Sequence, residues 1–237
     1  MLIQDKRPDA FKIPSGLIKT WSYSALKTYD SCPQKLYHSR IKGIYPSTES
    51  EFLIEGKRIH KLAEDYLNKD IEFPQELSKL KKDFDDIIRF PISSEDKWAF
   101  TRTWQPCEFK DKEAWLRLVC DAVVYDDPDD CTSLRIIDFK TGKKFGNEFQ
   151  HNMQIQLYAI AAFSRFPNLE WVTGEVWYTK TGDVLEQDFQ RQQTMRMKDL
   201  WNTRAVLMTG DNQLLPKPNK GICGHCDYAE VCEWSAV

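Results

Sequence analysis

Residues 115–141, WLRLVCDAVVYDDPDDCTSLRIIDFKT, decide how this chain is read. Two runs rich in apolar and β-branched residues, 115–125 and 134–141, bracket an acidic, proline-bearing stretch at 126–132. Such runs suit a pleated surface, and Asp and Pro open turns, so the segment predicts two strands joined as a hairpin. Each run is interrupted by charge: Asp121 within LRLVCDAVV, and Asp138 and Lys140 within LRIIDFKT. Residues i and i+2 leave a strand on the same face, so Asp138 and Lys140 share one side and Phe139 takes the other. Charge in a central strand is unfavourable unless it lies at the strand's end or binds something. Two carboxylates converging from adjacent strands suit a hard divalent cation such as Mg²⁺ or Mn²⁺. A lysine two residues on can polarise a water or steady developing negative charge. The plainer reading is an Asp138–Lys140 ion pair on an exposed sheet face, where such pairs contribute little.

Downstream, a glycine-containing turn is expected at 142–146. A helix follows over 148–165, with Met153, Leu157, Ile160 and Ala161 at helical spacing. Gln154 and Tyr158, four apart, share one face of it and can both donate to phosphate oxygens. A polar stripe on a half-exposed helix is the alternative. Residues 171–179 predict a third strand, with a Thr-Gly-Asp turn after it and a polar helix over 189–208. Upstream, residues 22–42 read as two short helices, the first capped by Ser22 or Ser24, the second with Pro33 in its first turn. Phe52, Ile59, Leu62, Ala63, Tyr66 and Leu67 mark an amphipathic helix over 50–68. Another spans 76–90 and ends at Pro91; residues 92–114 fit neither period. His60 follows Gly56 by one turn; glycine there admits a close backbone neighbour, and His60 faces the same gap. A lone helical histidine is usually a packing or surface residue, but the two aspartates could be its partners around a metal.

The order of helices, hairpin, helix, strand and helix indicates an α/β domain. No repeat, low-complexity tract or linker divides the 237 residues, so one domain is expected, large enough for a real core. With 29% charged residues, 8 Trp, 13 Phe and 9 Tyr, the chain is not of disordered type. The first residues, MLIQDKRPDAFK, lack an apolar leader, and no run reaches membrane-spanning length, so a cytoplasmic protein is expected. A net charge of −3 would argue weakly against nucleic acid, but it is uneven: +4 over residues 1–60, −7 over 61–130 and zero over 131–237. The acidic runs at 83–86 and 126–130 read as a solvated helix face and a turn.

Seven cysteines, an odd number, do not suit a disulfide scaffold. Cys223, Cys226 and Cys232 follow a C-x2-C-x5-C spacing in GICGHCDYAEVCEW, a tail poor in apolar residues. That spacing gathers three thiolates onto one soft centre, Zn²⁺ or a [4Fe–4S] cluster, each wanting a fourth ligand. His225 and Cys32 are the two candidates; Cys32 precedes Pro33 and a new helix, near backbone N–H groups that suit a thiolate. With Cys32, the centre would clasp the two ends of the chain, a structural role that needs no part in chemistry. Cys107, Cys120 and Cys131 have no such spacing and read as incidental. Among the aromatics of 92–115, Trp98, Phe100, Trp104 and Trp115 read as core before they read as platforms for unpaired bases.

These motifs, in this order over almost the whole length, resemble the PD-(D/E)XK nuclease superfamily. The likeness is to its RecB-like branch with an iron–sulfur clasp, which includes the AddB nuclease domain and CRISPR-associated RecB-like exonucleases. SYSALKTYDSCPQKLYHSRI resembles the N-terminal Ser-x-Ser helix with its first cluster cysteine, and GKRIH the metal-histidine motif. LRLVCDAVV with IIDFKTG resembles the two-strand core, and QIQLY the Gln-x-x-x-Tyr helix. The resemblance implies a restriction-endonuclease-like core, with a central mixed sheet between helices and the termini clasped by a metal cluster. The clasp would come from about 22–42 and 216–237, and the catalytic core from about 50–180. It implies Mg²⁺ or Mn²⁺ on His60, Asp121, Asp138 and the backbone carbonyl of Phe139, with Lys140 orienting or activating water. It further implies Gln154 and Tyr158 on the DNA strand, and a [4Fe–4S] cluster on Cys32, Cys223, Cys226 and Cys232. The implied activity is a DNA nuclease, an exonuclease acting on single strands or duplex ends in recombination, repair or phage DNA metabolism. A helicase or recombination protein would be its partner. The competing reading is a non-catalytic, metal-clasped DNA-binding or scaffold subunit. Cys120 stands where the motif's name has Pro, and Asp138 where some relatives have Glu. No helicase motif or P-loop is present, so the module is expected to be free-standing or a subunit.

Overall fold

A computed structural model describes residues 16–45, 50–127, 129–142 and 144–237. The leaderless reading of residues 1–12 lies outside them, as do Pro128 and Lys143 of the two expected turns. The chain divides into two compact units, residues 46–201 and residues 1–45 with 202–237.

The unit of residues 46–201 is built on a six-stranded sheet of order β2-β1-β3-β4-β5-β6. Its strands are β1 (Ile92–Phe100), β2 (Pro106–Cys107), β3 (Leu116–Tyr125), β4 (Ser133–Lys140), β5 (Trp171–Tyr178) and β6 (Asp183–Gln190). Only β4 and β5 pair in parallel; the other neighbours are antiparallel, so the sheet is mixed. The parallel step needs a crossover, which the helix Glu148–Arg165 supplies. The helices in chain order are α1 (Tyr23–Ser31), α2 (Pro33–Leu36), α3 (Glu51–Leu67), α4 (Lys81–Ile87), α5 (Glu148–Arg165), α6 (Arg191–Thr194), α7 (Lys198–Gly210) and α8 (Lys220–Cys223). The fold is therefore the expected α/β class, a central mixed sheet flanked by helices.

Strand alternation decides what each face carries. Ala122 and Val124 of β3, Ile137 and Phe139 of β4 and Trp177 of β5 are buried against Ile59 and Ala63 of α3 and Phe84 and Ile87 of α4. Phe84 stacks on Phe139, ring centroids 5.7 Å apart, and meets Trp177 edge-on at 5.0 Å. The other face is covered by α5. Gly174 of β5 explains how closely: a Cβ there would lie 2.0 Å from the Ile155 side chain, so the helix descends onto a strand with nothing in its way. The guanidinium of Arg191 donates to the carbonyls of Phe163, Phe166 and Leu169, taking up orphan acceptors where α5 ends.

Three strands depart from the expectations. The ambiguous residues 92–114 supply β1, the partner of β3 along most of its length, and the short β2. Residues 183–190 form β6, an edge strand, where the polar helix was expected to begin at 189; that helix is α6, a 3₁₀ turn (Met195–Met197) and α7. The helix expected at 76–90 divides into a 3₁₀ turn (Gln75–Leu80) and α4.

In the other unit, Ser22 caps α1, accepting from the Ala25 amide, and Pro33 stands in the first turn of α2, as its fixed φ suits. A π-helical turn, Tyr37–Ile41, follows α2 and is closed by Lys42 N–H on the Tyr37 carbonyl at 2.9 Å. Asn219 caps α8, accepting from Ile222 N at 2.8 Å. Among the described residues, no helix is long and apolar enough to cross a membrane.

Candidate active site

The site begins where two strands part. The antiparallel ladder between β3 and β4 runs from Tyr125↔Leu134 to Ala122↔Ile137 and stops. Its next rung would set Asp121 opposite Asp138, two like charges at cross-strand distance, which is destabilising. Instead the Phe139 amide donates to Asp121 Oδ2 at 2.7 Å. A side-chain oxygen thus takes the place of a ladder carbonyl and holds the fork open. The resemblance offers the carbonyl of Phe139 to a metal; the bond recorded here is made by its amide.

Asp138 lies on the α5 face and is 2% exposed. Its Oδ1 accepts from Gln154 Nε2 at 2.8 Å, Gln154 also donates to Tyr158 Oη at 2.8 Å, and Tyr158 donates to the Val119 carbonyl at 3.0 Å. Gln154 and Tyr158 therefore share one face, as expected, but they are engaged with the carboxylate and with β3. Lys140 is ion-paired with Asp138 Oδ2, yet that oxygen accepts no well-aligned hydrogen bond. The other buried carboxylate of the sheet shows what full satisfaction looks like: Glu175 takes Arg135 Nε at 2.6 Å and Nη2 at 3.1 Å, and Trp177 Nε1 at 2.7 Å. Burial pushes the Asp138 carboxyl up to about 6; Lys140 opposes the rise and the Asp121 charge adds to it.

His60 of α3 reaches the fork from the opposite face, with Nδ1 3.5 Å from Asp121 Oδ1. Burial alone would lower its pKa; the Asp121 carboxylate outweighs this, Asp138 adds, and the net displacement is upward. A third acid joins them. Glu95 of β1, in the register between Ser94↔Ala122 and Asp96↔Cys120, lies across from Asp121. Its φ of 49° is a left-handed value that a glutamate rarely adopts. Ligand atoms of His60, Glu95 and Asp121 all lie within 4.8 Å of one another, the one such set among the described residues. Burial raises the Glu95 pKa, with Asp121 and Glu64 adding. The cluster thus holds more negative charge than its own cations neutralise. Carboxylates, one imidazole and an under-satisfied Asp138 oxygen make a donor set that fits Mg²⁺ or Mn²⁺.

The groove beside this set is lined by Phe52, Gly56, His60, Glu64, Glu95 and Thr141. A Cβ on Gly56 would lie 3.4 Å from Thr141 Oγ1, ordinary contact with a side chain, so the expected close backbone neighbour is not there. Trp98, Phe100, Trp104 and Trp115 are buried, the core role expected of them. The exposed aromatics lie elsewhere: Phe52 lines the groove, and Phe145 and Phe149 follow the end of β4.

In the other unit, Cys32, Cys223, Cys226 and Cys232 line a single cavity. His225 is exposed and is not in its wall, so of the two candidate fourth ligands only Cys32 is at hand. The Lys217 amide points at Cys32 Sγ from 3.4 Å, a donor that suits a thiolate. All seven cysteines are free thiols. Cys107, Cys120 and Cys131 belong to the sheet unit, and burial raises the pKa of each. No three of the four cavity sulfurs fall within 4.8 Å of one another. A tetrahedral zinc, with Zn–S near 2.3 Å, would draw them to about 3.8 Å; a cubane spreads its four ligands wider.

Glu95 is the one site residue that sequence reasoning missed. An acid in a strand-length segment directly ahead of the apolar WAF run was its only local signal.

A family model described as the PD-(D/E)XK nuclease superfamily matches residues 20–233. The crystal structure of SSO0001 is 16% identical, the match covering 93% of this chain and 89% of that one, with a TM-score of 0.45. A crystal structure described as an inferred exonuclease from Eubacterium rectale is 13% identical over 90% of this chain and 88% of that one, with a TM-score of 0.48. No curated protein matches the sequence.

Proposed function

Given that the chain belongs to the PD-(D/E)XK nuclease superfamily, we propose that it is a metal-dependent DNA nuclease of the RecB-like branch, working as an exonuclease in DNA recombination, repair or phage DNA metabolism. The observation that carries this is the fork. The β3–β4 ladder ends so that Asp121 and Asp138 flank a gap, with His60 and Glu95 facing Asp121 and Lys140 against Asp138. His60, Glu95, Asp121, Asp138 and the Phe139 carbonyl would hold Mg²⁺ or Mn²⁺. When bound, the cation supplies Lewis acidity at the phosphoryl oxygens and makes a water more acidic.

The chain's own groups do the rest. Lys140, held beside Asp138, would steady the extra charge on the phosphoryl group and orient the attacking water. Gln154 fixes Asp138 through Oδ1 and leaves Oδ2 available. Tyr158 locks Gln154 by way of the Val119 carbonyl, so the pair is preorganised around Asp138 and would act on the DNA strand through the carboxylate it positions. Phe52 and the exposed rings after β4 offer faces for unpaired bases. In the other unit, the wide spacing of four cysteines around one cavity supports a [4Fe–4S] cluster over zinc. Both units are read as parts of a single nuclease module.

The test is cleavage of labelled single-stranded and blunt duplex DNA with Mg²⁺ or Mn²⁺, beside Asp138→Ala. Loss of cleavage in the variant supports the proposal. No cleavage by the native chain, or equal cleavage by both, would leave the scaffold reading instead. A brown anaerobic preparation containing iron and sulfide supports the cluster; a colourless one with stoichiometric zinc overturns it.

A further inference from the structure

His38 is a buried histidine with no partner. It is 2% exposed, and neither ring nitrogen has a hydrogen bond. An imidazole in that state forfeits about 1–3 kcal/mol of hydrogen bonding, so an uncompensated one is unusual. The ring is held in place from two sides. It stacks on Tyr228, centroids 5.3 Å apart and planes 20° from parallel, and meets Tyr37 edge-on at 6.0 Å. Its backbone lies in the π turn that follows α2, a form of helix that often re-aims a side chain at a functional site. With its carbonyl taken by Ile44 N–H at 2.9 Å, only the ring remains to be satisfied.

The ring lies in the wall of the cavity that Cys32, Cys223, Cys226 and Cys232 share. The four thiols already make a complete ligand set, so His38 is placed beside the centre and not among its ligands. What it offers is an N–H donor, and what a thiolate-held centre offers is acceptor sulfur. We propose that His38 donates an imidazole N–H to a sulfur of the cysteine-held centre and thereby sets how readily that centre is reduced and how long it survives. This rests on the reading of the four cysteines as a metal centre. Such a bond favours the form carrying more negative charge, so it raises the reduction potential of an iron–sulfur cluster. His38 is a positioning residue: it acts on the centre and not on DNA.

The experiment uses the full chain, purified anaerobically, as native protein, His38→Gln and His38→Phe. His38→Met stands in for the apolar replacement should the phenylalanine variant fail to fold. Iron, zinc and sulfide are quantified, and the visible absorption is followed through a redox titration and on exposure to air. The expected result is that His38→Phe keeps its iron but has a more negative midpoint and bleaches several-fold faster, while His38→Gln, still a donor, returns towards the native values. A native midpoint and lifetime in the apolar variant overturn the proposal. So does an equal displacement in both variants, which would assign the effect to packing. If the metal is zinc, the readout is its release to a chelator, several-fold faster in His38→Phe alone; equal rates overturn the proposal. A chain with no metal overturns both this proposal and the cysteine-centre reading, and the cleavage assay judges the nuclease reading separately.

Discussion

The fork between β3 and β4 and the cysteine-bearing tail gather reactive groups in opposite ways. At the fork the two aspartates stand on regular strands between core residues: Asp121 between Cys120 and Ala122, Asp138 between Ile137 and Phe139, all four of those neighbours buried. Packing fixes those two carboxylates without help from a cation. In the tail, residues 216–237, Tyr228 is the only buried residue, and the longest regular element is the four-residue α8. Little of that segment is buried around Cys223, Cys226 and Cys232, so the centre proposed for them would serve as its core. One site is preformed by the fold; the other, as proposed, would complete it.

The largest effect should come from emptying the cysteine centre. Cys226→Ser, or stripping the metal, removes a cross-link between distant parts of the chain, worth about 4–5 kcal/mol in the chain-entropy model. Hydrogen exchange should show protection lost over 216–237 while the β3 and β4 amides keep theirs. Loss in both regions alike would break the contrast. Next comes Asp121→Ala, expected to slow cleavage about a thousandfold and to cost about 1–3 kcal/mol in denaturant unfolding, because the Phe139 amide loses its acceptor. Asp121→Asn should restore the stability and not the rate.

A smaller effect tests the missed acid. Glu95→Gln should raise the metal concentration needed for half-maximal cleavage by about ten- to a hundredfold, with little change at saturating metal. An unchanged metal requirement would take Glu95 out of the site. The smallest is a pH effect in metal-free protein. With its carboxyl pushed up to about 6, Asp138 keeps its proton longer in the folded chain than in the unfolded one, where a carboxyl titrates near 3.9. Its contribution is therefore fully present below about pH 4 and is lost as pH rises through 6. Asp138→Asn should raise the thermal midpoint by about 2–4 °C at pH 7 and leave it unchanged at pH 4.

The hairpin, α3, α5 and β5 were legible because each is long, strongly patterned and bounded by turn residues. β1 was not. ISSEDKWAF is polar until its last three residues, and Glu95 takes a backbone conformation foreign to a strand. β6, an edge strand with three consecutive exposed residues at Glu186–Asp188, shows no alternation to read. Of the site, the residues found were those whose partners are local or marked by a charge in an apolar run. Glu95 joins Asp121 only through a cross-strand register 26 residues apart in sequence, which the pattern of β1 alone does not encode. The cysteine grouping was legible from spacing; that Cys32 and not His225 completes the wall was decided by where each side chain lies.

The bond from the Phe139 amide to Asp121 also bears on how such a chain can change over evolutionary time. On the proposed function Asp121 would serve chemistry and architecture with one carboxylate, whereas no backbone hydrogen bond to the Lys140 side chain holds the strands in place. A lineage that abandoned cleavage could therefore shed the lysine together with its partner Asp138, but it must keep an acceptor at position 121 to hold the strand ends apart. The aspartate would then outlast the activity, surviving as a scaffold residue, and a degenerate descendant would be recognised by what has replaced the lysine.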